Sequence, residues 1–315
     1  MKIKEMKTGA NKITLLLQAL VEKETKTKST YVVATYTDGE ESLNAKIWNC
    51  TLKSFPGKEG EVHDLSLMKQ IYQGADDFTL KEEDIKKSKE SPDKYVPCIK
   101  EDIEQLYDEI IEVAESLRYD LKELVLSIYK KYESNIKRMP AAKSIHHEVR
   151  GGLLLHVHRM LSSAISLSDV YELDWDMVYA GIMLHDIGKI RELETNEMGI
   201  TRYTNEGTLL GHMPLGLLIV NETARVLGTN SEDLMVISHC LLSHQGSYEM
   251  QSSALPCVKE AILIHYLDMI DSRLYQYEKH EKNLEPGTCT EKAIMTINNA
   301  RVYRRREVGG NSETV

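Results

Sequence analysis

The chain has 315 residues, 42% hydrophobic and 28% charged, with 49 Asp+Glu against 39 Lys+Arg and a formal net charge of −10. That make-up excludes a disordered or collagen-like chain, and the length predicts two domains. The five cysteines (Cys50, Cys98, Cys240, Cys257, Cys289) are odd in number and form no C-x-x-C pair. A disulfide framework or Cys-based zinc site is therefore not expected, and the expected compartment is the reducing cytoplasm.

The amino terminus, with lysines ahead of ITLLLQAL, has some look of a signal peptide. The apolar run is short, holds Gln18 and continues into VEKETKTK without a cleavage site, so it reads as a first strand. No run approaches the ~18–20 apolar residues of a membrane span, so no membrane partner is expected. STYVVATYT and SLNAKIWNC follow as strands, and Asp38-Gly39 predicts a hairpin turn between Tyr31–Thr37 and Ser42–Trp48. Further strand-like pieces reach Ile71-Tyr72. Residues 1–80 are expected to form a small barrel or sandwich. Residues 81–100, charged and carrying Pro92 and Pro97, read as a linker.

From Glu101 the period changes. EDIEQLYDEIIEVAESL, LKELVLSIYKKYESN, GGLLLHVHRMLSSAISL, WDMVYAGIMLHDIGK, PLGLLIVNETARVLG, EDLMVISHCLLSHQG and VKEAILIHYLDMIDSRLYQYEKH repeat apolar positions every three or four residues. Residues 101–315 are expected as an all-α domain, helical to about 282. Charge divides at the same boundary. Residues 1–100 hold 17 Lys+Arg and 16 Asp+Glu, leaving 22 and 33 for the rest. The acidity that argues against a polyanionic partner thus lies in the helical half, and the β-rich half could still present a basic groove.

Ten of the 11 histidines lie in the helical half. His185 and Asp186 are adjacent within MLHDIGK, read as the middle of an apolar helix. A buried pair of this kind needs partners, and imidazole beside carboxylate suits Mn²⁺, Fe²⁺, Zn²⁺ or Mg²⁺. His156, His185, His212, His239 and Asp268 are spaced 29, 27, 27 and 29 residues apart. One helix with its connection takes roughly that length, so each would come from a different helix around one internal site. Chance recurrence on helices of similar length is the plainer reading, and five coincident positions weigh against it.

The series LLLHV, LHDIGK, LGH, ISH and HYLDMID resembles the HD phosphohydrolase superfamily. With the β-rich amino-terminal half, SIHHEVRGGLLLH and AKIWN, the chain is similar to the YhaM family, cytoplasmic 3′→5′ exoribonucleases that join an OB-fold to an HD domain. The resemblance is specific over about residues 140–275. It implies an OB-fold-like β-barrel followed by an all-α HD bundle. It also implies one or two divalent ions, Mn²⁺ first, with Mg²⁺, Fe²⁺ or Zn²⁺ as alternatives. His156, His185, Asp186 and Asp268 would hold one ion, and Asp186 would bridge to a second completed by His212, His239 and His244. Where related sequences often read SHHG, this one has Gln245, a weaker ligand. His239 and His244 are five apart, ~140° on a helix, and share a site only if the helix ends near Ser243.

Hydrolysis by a metal-activated water at phosphorus would follow, with Asp186 and Lys189 in the catalytic set. Lys189 alternatively complements a helix C-terminus. Candidate substrate contacts are His147 and Arg150 near the site, with Tyr36, Lys46 and Trp48 on the barrel, joined by Tyr31 and Lys69. Alternation puts Lys46 and Trp48 on one face, though Trp48 reads rather as core. Arg301, Arg304, Arg305 and Arg306 read as a solvated tail or an RNA contact. The expected substrate is single-stranded RNA, or DNA, cut to nucleoside monophosphates, and the resemblance suggests a homo-oligomer. Two other readings compete. One is a nucleotide or cyclic-nucleotide phosphohydrolase with a regulatory barrel, and the other a nucleic-acid-binding protein without activity.

Overall fold

The computed structural model describes residues 1–25, 28–72, 74–141, 149–196 and 201–306. The chain divides into two compact units, the first spanning Met1–Cys98 with Thr195–Thr201, the second Ile99–Glu194 with Arg202–Val315.

The first unit is built on six strands: β1 (Gly9–Glu24), β2 (Thr30–Thr37), β3 (Ser42–Trp48), β4 (Val62–Tyr72), β5 (Ala75–Leu80) and β6 (Ile85–Lys87). The long β1 is shared. Its second half pairs with β2 and its first half with β4, and the register shifts between Leu17 and Ala19. The remaining pairs are β2–β3, parallel β3–β5, β4–β5 and β4–β6. The circuit of pairings therefore runs β1-β2-β3-β5-β4 and returns to β1. The expected hairpin is present. Gly39 has φ +89°, and the Asp38 carboxylate accepts the backbone N–H groups of Ile3, Glu40 and Glu41.

Side chains alternate across the sheet as the period of two requires. Leu43, Ala45 and Ile47 of β3 face the core, whereas Ser42, Asn44 and Trp48 are exposed and Lys46 is half-buried. Lys46 and Trp48 do share a face. Trp48, however, is 50% exposed rather than core, and its ring lies 4.8 Å from that of Tyr31, its cross-strand partner. Tyr36 goes the other way. It is fully buried, and its hydroxyl lies 2.9 Å from His63 Nδ1.

Residues 81–98 are not a linker. Ile85 pairs with Leu65 and enters the core, and Ser88 donates its N–H to Val62 O. Tyr95 and Val96 pack with Leu16 and Val62 as a separate buried cluster.

The second unit contains α1 (Ile103–Ser116), α2 (Tyr119–Arg138), α3 (Gly152–Leu167), α4 (Trp175–Leu184), α5 (Lys189–Glu192), α6 (Asn205–Leu210), α7 (His212–Leu227), α8 (Ser231–Ser243) and α9 (Lys259–Glu281). Their apolar stripes meet in one core, in which Tyr129 is buried and donates to Met183 O. Arg118, ahead of α2, ties the N-terminal ends of two other helices through Asp174, the cap of α4, and Asp233, in the first turn of α8, each at 2.7 Å. In chain order, a two-stranded ladder, β7 (Leu193–Thr195) with β8 (Thr201–Tyr203), comes between α5 and α6. After α9 the chain doubles back through bridges at Cys289–Tyr303 and Ile294–Ala300, with Ile297 and Val302 buried. Arg304 belongs to this fold-back, donating to Leu284 O at 2.7 Å, while Arg301, Arg305 and Arg306 are exposed.

Candidate metal centre

His185 and Asp186 do not lie mid-helix. His185 is the C-cap of α4, and Asp186 sits in the turn before α5. The turn is tight for a steric reason. A Cβ on Gly188 would run into the carbonyl oxygen of His212, so α7 lies directly against this turn and delivers His212 beside Asp186. α3 contributes His156, the end of α8 contributes His244, and α9 contributes Asp268 and Asp271. All but His212 are at least nine-tenths buried.

Four imidazoles converge through Nε2. His156 and His185 approach to 3.3 Å, and His212 and His244 to 3.4 Å. Asp186 stands between the pairs. Its Oδ2 is 3.3 Å from His185 and 4.0 Å from His156, and its Oδ1 is 3.6 Å from His212 and 3.9 Å from His244. Asp268 joins the first pair, with Oδ1 3.4 Å from His156 Nε2. Behind each ring an acceptor fixes the other nitrogen. Nδ1 of His156 lies 2.7 Å from Asp271, that of His185 2.7 Å from Ile182 O, and that of His244 2.8 Å from Leu241 O. Nδ1 of His212 lies 3.4 Å from Glu192. These contacts leave the Nε2 lone pairs aimed inward.

The donor set fits divalent cations. Two facing imidazole lone pairs at this separation need a proton or a cation between them. Bonds of ~2.0–2.1 Å to one ion would put neighbouring donors ~3–3.4 Å apart. Among the described residues Asp186 Oδ1 is buried without a hydrogen-bond partner, which is costly unless an ion satisfies it. His156–His185–Asp186 and Asp186–His212–His244 are thus two ligand groups sharing one carboxylate.

The electrostatics agree. Burial opposes charge on His156, but the hydrogen bonds and charges of Asp268 and Asp271 outweigh it and lift the ring to about 9. His244 is pushed down to about 3 by burial and by the neighbouring His185. Burial would raise Asp186, yet Lys189, His185 and His212 hold it well below the usual carboxylate range. Burial likewise opposes ionisation of Asp268, and His156 overrides it. The Lys189 ammonium reaches Asp186 Oδ2 at 2.5 Å.

The structure therefore gathers His156, His185, Asp186, Lys189, His212, His244 and Asp268, and leaves His239 out. α8 does end at Ser243, but only His244 turns inward. His239 points toward the next loop, where its Nε2 accepts the Cys257 N–H at 2.9 Å. Gln245 lies beside the second group, its amide nitrogen 3.0 Å from His244 Nε2. The Arg150 carbonyl accepts the Ile99 N–H. His147 lies outside the described residues. Of the first-unit candidates, Tyr36 is core, Lys46 is paired with Asp77 at 2.5 Å, and Trp48 is exposed. Two ring-orienting residues went unforeseen. Asp271 sits three residues after Asp268 on the same helix face, a legible signal, whereas Glu192 meets His212 only through the tertiary fold. A cleft of about 610 Å³ opens from Asp186 and Asp268, lined also by Lys189, His212 and Gln245.

Residues 153–273 match the HD domain family, a span holding every residue of this centre, so the chain carries an HD domain. Residues 96–181 also match the TraI_2 helicase family, a stretch that stops short of His185. Among curated proteins the chain is similar to the 3′-5′ exoribonuclease YhaM of Bacillus subtilis, 36% identical over 186 residues, covering 59% of this chain and 58% of the relative. It is similar as well to YhaM of Oceanobacillus iheyensis, 36% identical over 205 residues, covering 65% and 63%. For YhaM of Listeria monocytogenes serotype 4b the identity is 36% over 202 residues, covering 64% of each. The chain spans about three fifths of the length of the curated relatives it matches.

Proposed function

We propose that the protein is a metal-dependent 3′→5′ exoribonuclease that shortens single-stranded RNA to nucleoside monophosphates, with single-stranded DNA as a second polymer. The observation that carries this reading is Asp186, whose two oxygens face two separate histidine pairs at the floor of an open cleft. The similarity to the YhaM exoribonucleases supplies the polymer and the polarity. His156, His185, Asp186 and Asp268 would hold one ion and Asp186, His212 and His244 the other, with Mn²⁺ the ion that best suits mixed imidazole and carboxylate donors. When bound, the ions supply positive charge at phosphorus and lower the pKa of water.

The protein's own groups do the rest. Asp271, Ile182, Glu192 and Leu241 hold the rings in register. Lys189, 7% exposed and lining the cleft, keeps Asp186 ionised and offers a cation to a phosphate oxygen. The pairing order of the first unit supports an OB-fold barrel, a five-stranded architecture that binds single strands. Exposed Trp48, packed against half-buried Tyr31, provides a surface on which bases would stack. The proposed compartment is the cytoplasm. None of the five cysteines forms a disulfide, as a reducing compartment expects.

The cleft volume also suits a free nucleotide, the basis of the phosphohydrolase reading. Incubation of Mn²⁺-loaded protein with a single-stranded RNA oligomer and, separately, with free nucleotides decides between them. The exonuclease reading expects oligomer degradation, and hydrolysis of the free nucleotide alone would replace it with the second.

A further inference from the structure

The cleft has an apolar upper wall that the metal centre does not use. One face of α9 lines the cleft with Asp268, Ser272 and Gln276, at four-residue intervals, and with Arg273. Arg273 is committed to the protein rather than open to a ligand. Its guanidinium donates to Thr296 O and, at 3.2 Å, to Asn298 Oδ1. It thereby ties down the turn Met295–Ile297, which Ile297 anchors from below at 4% exposure. On that fixed turn Met295 is 81% exposed and faces the cleft. Tyr203 and Met250, at 50% and 44% exposure, line the same cleft. Large apolar side chains left open around a polar cleft mark a ligand surface rather than core.

Position and chemistry select the ligand. Arg273 is five residues beyond Asp268, ~7.5 Å along the helix axis, so the wall lies away from the reacting phosphorus. A flat, apolar-faced group attached to a phosphate fits such an arrangement. Thioethers and a phenol contact any aromatic ring face without reading its edge.

We propose that Tyr203, Met250 and Met295 form a base subsite that takes the nucleobase of the terminal nucleotide, with Arg273 as the positioning residue that holds Met295 in place. This rests on the exonuclease reading and adds to it that the enzyme grips the base of the nucleotide it removes without selecting among the four.

The test compares two 5′-labelled RNA oligomers that differ only at the 3′ end, one with an ordinary terminal nucleotide and one with an abasic ribose. With Mn²⁺, wild type prefers the ordinary end by roughly tenfold in kcat/KM, mainly through KM, the scale of one stacked base. Met295→Ser, Tyr203→Ala and Arg273→Ala bring the ratio toward one, whereas Tyr203→Phe keeps it. Anisotropy of the same oligomers with EDTA present, which stops cleavage, ranks the proteins in the same order. A wild type indifferent to the base, or a preference that survives in Met295→Ser and Tyr203→Ala, overturns the subsite. Wild type that degrades neither oligomer overturns the exonuclease reading and the subsite with it.

Discussion

Nδ1 of His156 donates to the carboxylate of Asp271 at 2.7 Å, and that contact decides which nitrogen the ring presents to Asp186 and Asp268. Asp271 also faces Arg159 at 3.6 Å, so the carboxylate is itself held. A ring orienter of this kind acts on metal affinity through geometry and basicity. Asp271→Asn retains a hydrogen-bonding group but removes the charge. Its affinity for Mn²⁺ is expected to fall roughly 10- to 100-fold, measured by calorimetric titration, with the fold unchanged by circular dichroism. Wild-type affinity in this variant would remove Asp271 from the site.

The two histidines of α8 separate cleanly. His244→Ala removes an inward-facing ring and is expected to lower metal occupancy and to cut activity at least roughly tenfold. His239→Ala only removes an acceptor for the Cys257 N–H, and metal content should remain at the wild-type level. Metal analysis of both purified variants checks the assignment. Loss of metal in His239→Ala would reverse it.

Trp48 and Tyr36 give a matched pair on the first unit. Trp48→Ala removes the exposed ring of the Tyr31–Trp48 pair, and its Kd for single-stranded RNA should rise roughly 5- to 100-fold, the range expected for one lost base stack. Tyr36→Phe deletes only a buried hydroxyl and should leave that Kd unchanged. Fluorescence anisotropy with EDTA present measures both. Equal affinities for Trp48→Ala and wild type would leave the platform without a role.

Stability should depend on pH through His63. The ring is fully buried, and burial lowers its pKa below the ordinary 6.5, against the opposing pull of Glu61. A depressed folded value means that the unfolded chain takes up the proton first. The stability contributed by neutral His63 is therefore intact above pH 6.5 and is lost as pH falls below it toward the folded value. The neutral ring can accept from the Tyr36 hydroxyl at Nδ1, and the protonated ring cannot. Urea unfolding between pH 7.5 and 5.5 should show a shallower pH dependence in His63→Phe than in wild type. Identical slopes would exclude His63 as a source.

Much of this was legible beforehand. The Asp38-Gly39 turn and the strict alternation of β3 announced the hairpin, and the three-four period announced the helices. What failed did so for physical reasons. Ile85, Tyr95 and Val96 are isolated among charges, so no periodicity shows that 81–98 folds onto the sheet. Trp48 and Tyr36 lie on adjacent strands with similar neighbours, and only register assigns one to solvent and one to core. His239 fitted the 27–29-residue spacing as well as His156, His185 or His212. Which side of a helix faces the centre depends on where that helix stops, and α8 stops one residue before His244. Glu192 reaches His212 only because Gly188 lets α7 approach the turn.

In the proposed function, Asp186 serves two cation sites that together degrade RNA. The most direct measurement follows a 5′-labelled single-stranded RNA with Mn²⁺, comparing wild type with Asp186→Asn, whose single carbonyl oxygen cannot serve both histidine pairs. Wild type should shorten the strand progressively from its 3′ end, and Asp186→Asn should leave it intact with at least one equivalent of metal lost. Progressive shortening at the wild-type rate by Asp186→Asn would contradict the account.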